Sequence, residues 1–303
     1  MRAGPLLATT LVVLVCCGLA GASSSAVPVE AAVVQTGRGP CGAVASGGAV
    51  WVGVYDTGTV LRIDARDRVA KRIRVGPGAC RLALDTRAIW VTRDRAGVLV
   101  RIDRATGRRL SIFVGRSPFD VLLTKRSLWT TSYDIGTIAT VDARAGRSTR
   151  LYKDGGYPAG LALCGGRVWV GHGRDVTWLT AIDPGTHRIT RIPVGVKAPS
   201  WPRCVRGELW VTTTDSVLRV DPRSGAVDAR IALGGTPVEA IAGPDGLVWV
   251  TDKERSVVTR IDPATNSVVD SFRAGPGAFA MARVGDSVWV TSFAGWDMRR
   301  FDS

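Results

Sequence analysis

Val248-Trp-Val-Thr-Asp-Lys-Glu-Arg-Ser-Val-Val-Thr-Arg-Ile-Asp262 is one copy of a unit that recurs along most of the chain. Trp249 has counterparts at Trp51, Trp90, Trp129, Trp169, Trp210 and Trp289, and the successive gaps are 39, 39, 40, 41, 39 and 40 residues. Asp262 is matched by Asp64, Asp103, Asp142, Asp183, Asp221 and Asp302. A period of about 40 residues, with short β-favouring runs in every copy, marks a β-propeller with one blade per copy.

Each unit holds four such runs separated by turn residues. In the third unit the expected strands are Phe119–Leu123, Ser127–Ser132, Thr137–Asp142 and Ser148–Tyr152. The last two are joined by an Asp-x-x-x-Gly turn, as in Asp103 to Gly107, Asp142 to Gly146 and Asp221 to Gly225, with His187 in the glycine position of unit four. An aspartate there accepts hydrogen bonds from turn amides and glycine permits positive φ, so the repeated aspartates read as scaffold. The repeated tryptophan fills the space between neighbouring twisted sheets. The last unit stops at Ser303 after three strands, whereas Ala31–Gly37 matches a fourth strand such as Lys71–Gly76. The sequence therefore predicts an all-β, seven-bladed propeller of four-stranded blades over residues 27–303, closed by an N-terminal strand that completes the C-terminal blade.

Residues 1–26 read as a signal peptide: Arg2, an apolar run from Leu6 to Ala20, then small residues with cleavage after Ala22 or Ala26. The alternatives are an uncleaved anchor, for which the run is short of the roughly 20 residues a span needs, and a lipoprotein cysteine at Cys16 or Cys17, preceded by bulky residues where small ones are required. No later stretch resembles a membrane span, so the expected location is secreted or extracytoplasmic. Four cysteines then remain, and an even number in an exported chain favours disulfides. Cys41 and Cys80 each stand ten residues before their tryptophan, and Cys164 and Cys204 stand five and six before theirs, in adjacent units in both cases. That register pairs Cys41 with Cys80 and Cys164 with Cys204; free buried thiols are the alternative. The formal net charge is +14, almost all from arginine, since Lys71, Lys125, Lys153, Lys197 and Lys253 are the only lysines. Such a charge suits dwelling on an anionic cell-wall polymer, although the cations are spread through every unit. Aromatics do not alternate with basic clusters as they do in single-strand nucleic-acid binders, so nucleic acid is not an expected partner. The chain is expected to be a monomer.

Gly234-Gly-Thr-Pro237, Val248-Trp-Val-Thr251 and Arg260-Ile-Asp-Pro-Ala-Thr265 resemble the repeats of YVTN-type and streptogramin (virginiamycin B) lyase-like seven-bladed propellers, over about residues 29–303. What the resemblance implies is the fold, with a range of functions that includes lyases, sensor domains and electron-transfer subunits. The lyases open a cyclic depsipeptide by elimination, with His and Glu side chains and magnesium near the channel mouth. Only His172 and Glu239 could take such parts here, two blades apart. The lyase repeat Trp-Phe-Thr-Glu becomes Trp249-Val-Thr-Asp252 in one unit and ends in Val54, Arg93, Ser132, His172, Thr213 or Ser292 elsewhere.

Residues that differ between equivalent positions are the site candidates. Aligning the first strands gives a ring of Gly42, Arg81, Asp120, Gly160, Trp201, Glu239 and Phe279 at the mouth, with the glycines expected to leave gaps in the rim. The loop between second and third strands opens on the same face and adds Tyr55, Asp94, Tyr133, Lys253 and Phe293 among others. Three residues after their tryptophans it places Arg93, His172 and Asp252. Unit five breaks the pattern, with 11 residues from Trp210 to Asp221 and Trp201-Pro202-Arg203 in its first strand. Broken local rules point towards function. The candidate ligand-binding set is Arg81, Asp120, His172, Trp201, Arg203, Glu239, Asp252 and Phe279, and the candidate catalytic residues are His172 and Glu239. The sequence thus predicts an exported binding module that holds a small polar ligand or peptide segment and requires no cofactor. The alternatives are a carbon–oxygen lyase, which alone would call for Mg2+, and an extracytoplasmic sensor or structural interaction protein. Haem-attachment, phosphate-loop and nucleophile-elbow motifs are absent from the sequence.

Overall fold

The computed structural model describes Met1, residues 26–125 and residues 127–303. Most of the expected leader (2–25, with Cys16 and Cys17) lies outside the described residues. No helix among them is long and apolar enough to cross a membrane. Seven four-stranded antiparallel sheets form the blades. In the third blade the strands are Pro118–Leu123, Ser127–Ser132, Thr137–Asp142 and Arg147–Lys153, each within a residue of expectation. Val29–Gln35 pairs antiparallel with Asp297–Asp302, Val29 opposite Asp302 and Gln35 opposite Asp297, so the N-terminal strand completes the last blade as the repeat register requires.

Each repeated tryptophan is buried against the following blade: Trp90 packs with Leu128 and Ala139, Trp210 with Val248 and Val250, and Trp289 with Val50 and Val52 across the closure. Six of the seven repeated aspartates act as predicted; Asp302, at the end of the last blade, accepts the Ser287 hydroxyl at 2.6 Å instead. Asp142 accepts the amides of Arg144 and Ala145 at 2.8 and 2.7 Å, and those bonds hold its carboxyl below the ordinary carboxylate value. In the sixth blade a further pair of partners appears. Arg260 is fully buried between Asp245 and Asp270, and Asp245 also accepts the Trp249 indole N–H at 3.0 Å.

One device joins the blades near the axis. In six of the seven, the first strand carries a β-bulge at the ring position, as between Pro118 and Val121 or Pro237 and Ala240. A bulge re-aims a side chain and leaves main-chain groups out of the ladder. A threonine two residues after the tryptophan takes up the slack. Thr251 Oγ1 accepts the Glu239 N–H at 3.1 Å and donates to the Phe279 carbonyl of the next blade at 2.6 Å. Thr131 does the same between Asp120 N–H and Ala159 O, at 3.0 and 2.7 Å. In blades one and four the threonine is replaced by Gly53 and Gly171, and the next blade moves in. The Gly160 N–H then reaches Ser200 O directly at 2.9 Å. The same two seams carry the disulfides, Cys41–Cys80 and Cys164–Cys204, with Cα separations of 4.9 and 5.3 Å, within the range that such bridges span. Gly42 and Gly160 therefore leave no gaps. A Cβ at Gly42 would lie 2.6 Å from Cys80 O, and one at Gly160 would lie 2.8 Å from Ser200 O.

Replacing Thr251 by valine keeps the shape and strands both the Glu239 amide and the Phe279 carbonyl. The expected loss is about 1–3 kcal/mol, seen as a lower urea midpoint with an unchanged slope.

Candidate functional site

On the face where second strands turn into third strands, the channel opens into a bowl of about 410 Å³ lined by Tyr55, Phe119, Trp201, Phe279 and Phe293, with Lys253, Asp94, Thr213, Thr214 and Thr236. Its floor is Trp201. The indole stacks on Phe119 at a centroid distance of 5.2 Å and 22°, meets Phe279 edge-on at 6.2 Å, and rests over the Arg81 guanidinium at 4.2 Å. Lys253 Nζ stands 4.9 Å from the Phe293 ring and 5.9 Å from Phe279. The Tyr55 hydroxyl donates to Asp94. Blade five supplies the low side of the rim: its loop between Thr212 and Ser216 has three residues where the others have four or five. That is the physical content of its short tryptophan-to-aspartate spacing.

Beneath the floor four of the charged candidates, Arg81, Asp120, Arg203 and Glu239, meet one another. Arg81 Nη1 lies 3.3 Å from each carboxylate oxygen of Glu239. Arg203 donates to Glu239 Oε1 at 2.7 Å and to Asp120 Oδ2 at 3.3 Å. Main-chain amides complete the set, Met281 N–H to Glu239 at 3.0 Å and Leu161 N–H to Asp120 at 2.9 Å. Burial alone would raise the Glu239 carboxyl; Arg203 and Arg81 outweigh it and hold the group below its usual range. The result is a neutral plug, two cations and two anions, above a second cavity of about 300 Å³ on the opposite side of the channel. Removing one partner from such a buried set leaves an uncompensated charge at a cost of several kcal/mol.

The ring position is therefore one residue deeper than the bowl wall. The residues immediately before it, Cys41, Cys80, Phe119, Ser200 and Val238, line the bowl, while Arg81, Asp120 and Glu239 line the lower cavity. Trp201 is large enough to reach up from that register. Phe279, aligned with the ring in the sequence, stands one residue earlier in the wall register with Phe119; its ring position is held by Ala280, whose N–H donates to Thr291 Oγ1 at 2.8 Å. Two candidates lie elsewhere. His172 was expected at the mouth; it is fully buried, with Nε2 3.0 Å from Thr180 Oγ1 and Nδ1 3.3 Å from Asp154. Its neighbouring glycines serve packing, because Gly173 leaves room for the Tyr133 ring and Gly171 for Ser200. Asp252 is 2 % exposed and caps its own loop, accepting the amides of Thr236 and Arg255 at 3.2 and 2.8 Å. His187 sits in the turn of the opposite face with Nδ1 2.7 Å from the Tyr152 hydroxyl. Sequence comparison passed over Phe119, inside its first strand, and Tyr157, just ahead of Pro158–Cys164; for Tyr157 the available signal was an aromatic where other units have small residues.

The magnesium implied by the lyase resemblance was tested against these side chains. Among the described residues no group of three or more His, Cys, Asp or Glu could hold a metal. Glu239 and Asp120 already answer two guanidinium groups, and Asp94 holds Tyr55. The bowl offers that ion no ligand set.

An all-β, seven-bladed propeller with an aromatic bowl over a salt-bridged channel is the class that fold and site define. Solved structures agree on the fold. A streptogramin B lyase is 17% identical over 89% of this chain and 97% of its own, with a TM-score of 0.77. A catalytically inactive variant of virginiamycin B lyase from Staphylococcus aureus with quinupristin is 16% identical over 90% and 99%, with a TM-score of 0.79. The WD40 β-propeller domain of Doa1 is 10% identical over 91% and 97%, at 0.77. No family model matches the chain, and no curated protein does.

Burial lowers the His172 imidazole below its ordinary 6.5; Asp154 pulls it back up and Arg191 pushes it further down. A group whose folded value is depressed gives its full stability above the unfolded value and loses it as pH falls. The His172 imidazole resonance in NMR is expected to titrate below pH 6.5, with the unfolding temperature declining from about the same point; titration above it would refute the assignment.

Proposed function

We propose that the chain is an exported binding module whose bowl holds a ligand with a flat apolar body and an anionic group. The observation that carries this is the lining: five aromatic side chains converge on one cavity, and Lys253 at its edge forms no ion pair among the described residues. Burying apolar surface against rings supplies affinity, and a few placed polar groups orient the ligand. A small, purely polar ligand fits less well than the sequence suggested, because the four charges that would have received it are spent on one another. The placement of His172 and His187 away from the bowl speaks for binding over elimination, since a general base must reach the proton it takes.

A second reading concerns the outside. The cations are evenly spread in sequence, but the outer strands Val69–Arg74, Arg109–Phe113, Arg147–Lys153 and Ile189–Pro193 carry Lys71, Arg72, Arg74, Arg109, Arg147, Arg150, Lys153 and Arg191 and no acid. The outer strands of the other three blades carry Arg230 and Arg273 against Asp228, Asp270 and Glu30. This basic arc over four adjacent blades complements an anionic cell-wall polymer and leaves the bowl free.

Anilinonaphthalene sulfonate, an aromatic anion, serves as a probe of the bowl. One molecule is expected to bind the native protein, at least about tenfold more weakly after Trp201→Ala and several-fold more weakly after Lys253→Ala; equal binding by both variants would sink the reading. For the arc, retention on immobilised linear polyphosphate should vanish by about 0.5 M salt. It should weaken when Lys71, Arg72 and Arg74 become glutamine and not when Arg230 and Arg273 do.

A further inference from the structure

The bowl does not end at its wall. From Trp201 the rings continue outward over the surface. Phe119 lies 5.2 Å from Trp201, Tyr133 5.0 Å from Phe119, and Tyr157 5.5 Å from Tyr133. Inward, Phe279 lies 6.2 Å from Trp201, Phe293 5.1 Å from Phe279, and Tyr55 6.3 Å from Phe293. Six consecutive contacts thus join seven rings from blades one, three, five and seven and the connection into blade four. Tyr133 and Tyr157 are half-buried, so part of each face is open to solvent. The sequence spaces these residues irregularly, and only the closed ring of blades brings them into one row.

The row has a cation near each end. Arg174 stands 4.2 Å over the Tyr157 ring and 6.0 Å from the Tyr133 ring. Lys253 stands at Phe293. Neither forms an ion pair among the described residues. Gly173 is part of the construction, because a Cβ there would collide with the Tyr133 ring. Arg174 follows it directly with a φ of 56°, which aims the guanidinium back over the tyrosines.

We infer that the ligand is a linear, acidic peptide segment with aromatic or aliphatic side chains, lying along this row with one end in the bowl and the other at Tyr157. This rests on the bowl being a binding site. From Trp201 to Tyr157 the three steps match about four residues of extended chain. An oligosaccharide is disfavoured by chemistry. Its many hydroxyls need partners when desolvated, and the chain has a single Asn and a single Gln, Asn266 and Gln35, neither of which lines the bowl. The carboxylates Asp120 and Glu239 are held by arginines. A peptide brings fewer polar groups per unit length and places apolar side chains on rings and carboxylates towards Arg174 and Lys253.

The test uses linear dodecapeptides displayed on phage and selected on the folded protein, followed by fluorescence titration with the synthetic form of the most enriched sequence and its two halves. Expected are sequences rich in aromatic and acidic residues. The full peptide should lose about five- to tenfold in affinity with Tyr157→Ala or Tyr133→Ala, whereas the half that fills the bowl is unaffected. Tyr133→Phe should retain binding, which separates the ring from the fold, and unchanged circular dichroism melting confirms that the variants fold. If the full peptide and the bowl half bind alike and neither tyrosine matters, the row is overturned and the bowl stands. If nothing is enriched over a Trp201→Ala control, the peptide reading of the bowl fails with it.

Discussion

A threonine hydroxyl with two partners is the interaction on which this molecule rests. Each bulge that turns a first-strand residue towards the axis takes an amide out of its own sheet. The threonine supplies that amide with an acceptor and passes its own proton to the neighbouring blade, as Thr251 does between Glu239 and Phe279. One side chain thereby repairs a defect within a blade and fixes the distance to the next. Where it is missing, at Gly53 and Gly171, backbone approaches backbone more closely and a disulfide spans the same seam. Two solutions to one problem share the ring, threonine in five blades and glycine with a disulfide in two, and the tryptophans fill the volume behind them.

The architecture was legible because it repeats. The spacing of tryptophan and aspartate, the turn glycines and the N-terminal match at Ala31–Gly37 are local signals; the structure follows them within a residue in the third blade and places the closing strand two residues earlier, at Val29–Gln35. Cysteine register likewise yielded both bridges. The site was legible only in part. Comparing units singled out Arg81, Asp120, Trp201, Arg203, Glu239 and Phe279, which do cluster at the axis. It did not reveal that four of them neutralise one another, since mutual pairing across the channel depends on the closed ring. It also put Phe279 in the ring register, where Ala280 stands, and so missed that the wall of the bowl lies one residue earlier, at Phe119 and its equivalents. His172 misled for a similar reason: the loop position was right, but Asp154 and Thr180 draw the imidazole into the blade interior.

Charge below and rings above form a division of labour. A channel through a propeller would otherwise present open strand surface along its whole length. The four-member plug rigidifies the axis at no net charge, and Arg81 holds the Trp201 ring from beneath through its face. The floor of the bowl is thus an indole whose orientation is set by ions that the ligand never meets.

The strand Val29–Gln35 carries a consequence in time. It is made first and docks against the strand made last, so the seams between consecutive blades can form while this one waits. Bringing such distant segments together costs about 5 kcal/mol in loop entropy, and contacts of this separation slow folding. Until that pairing forms, the ring carries an unpaired edge on its last strand, Asp297–Asp302, with Arg299 and Arg300 in the positions that keep a second chain from adding to it.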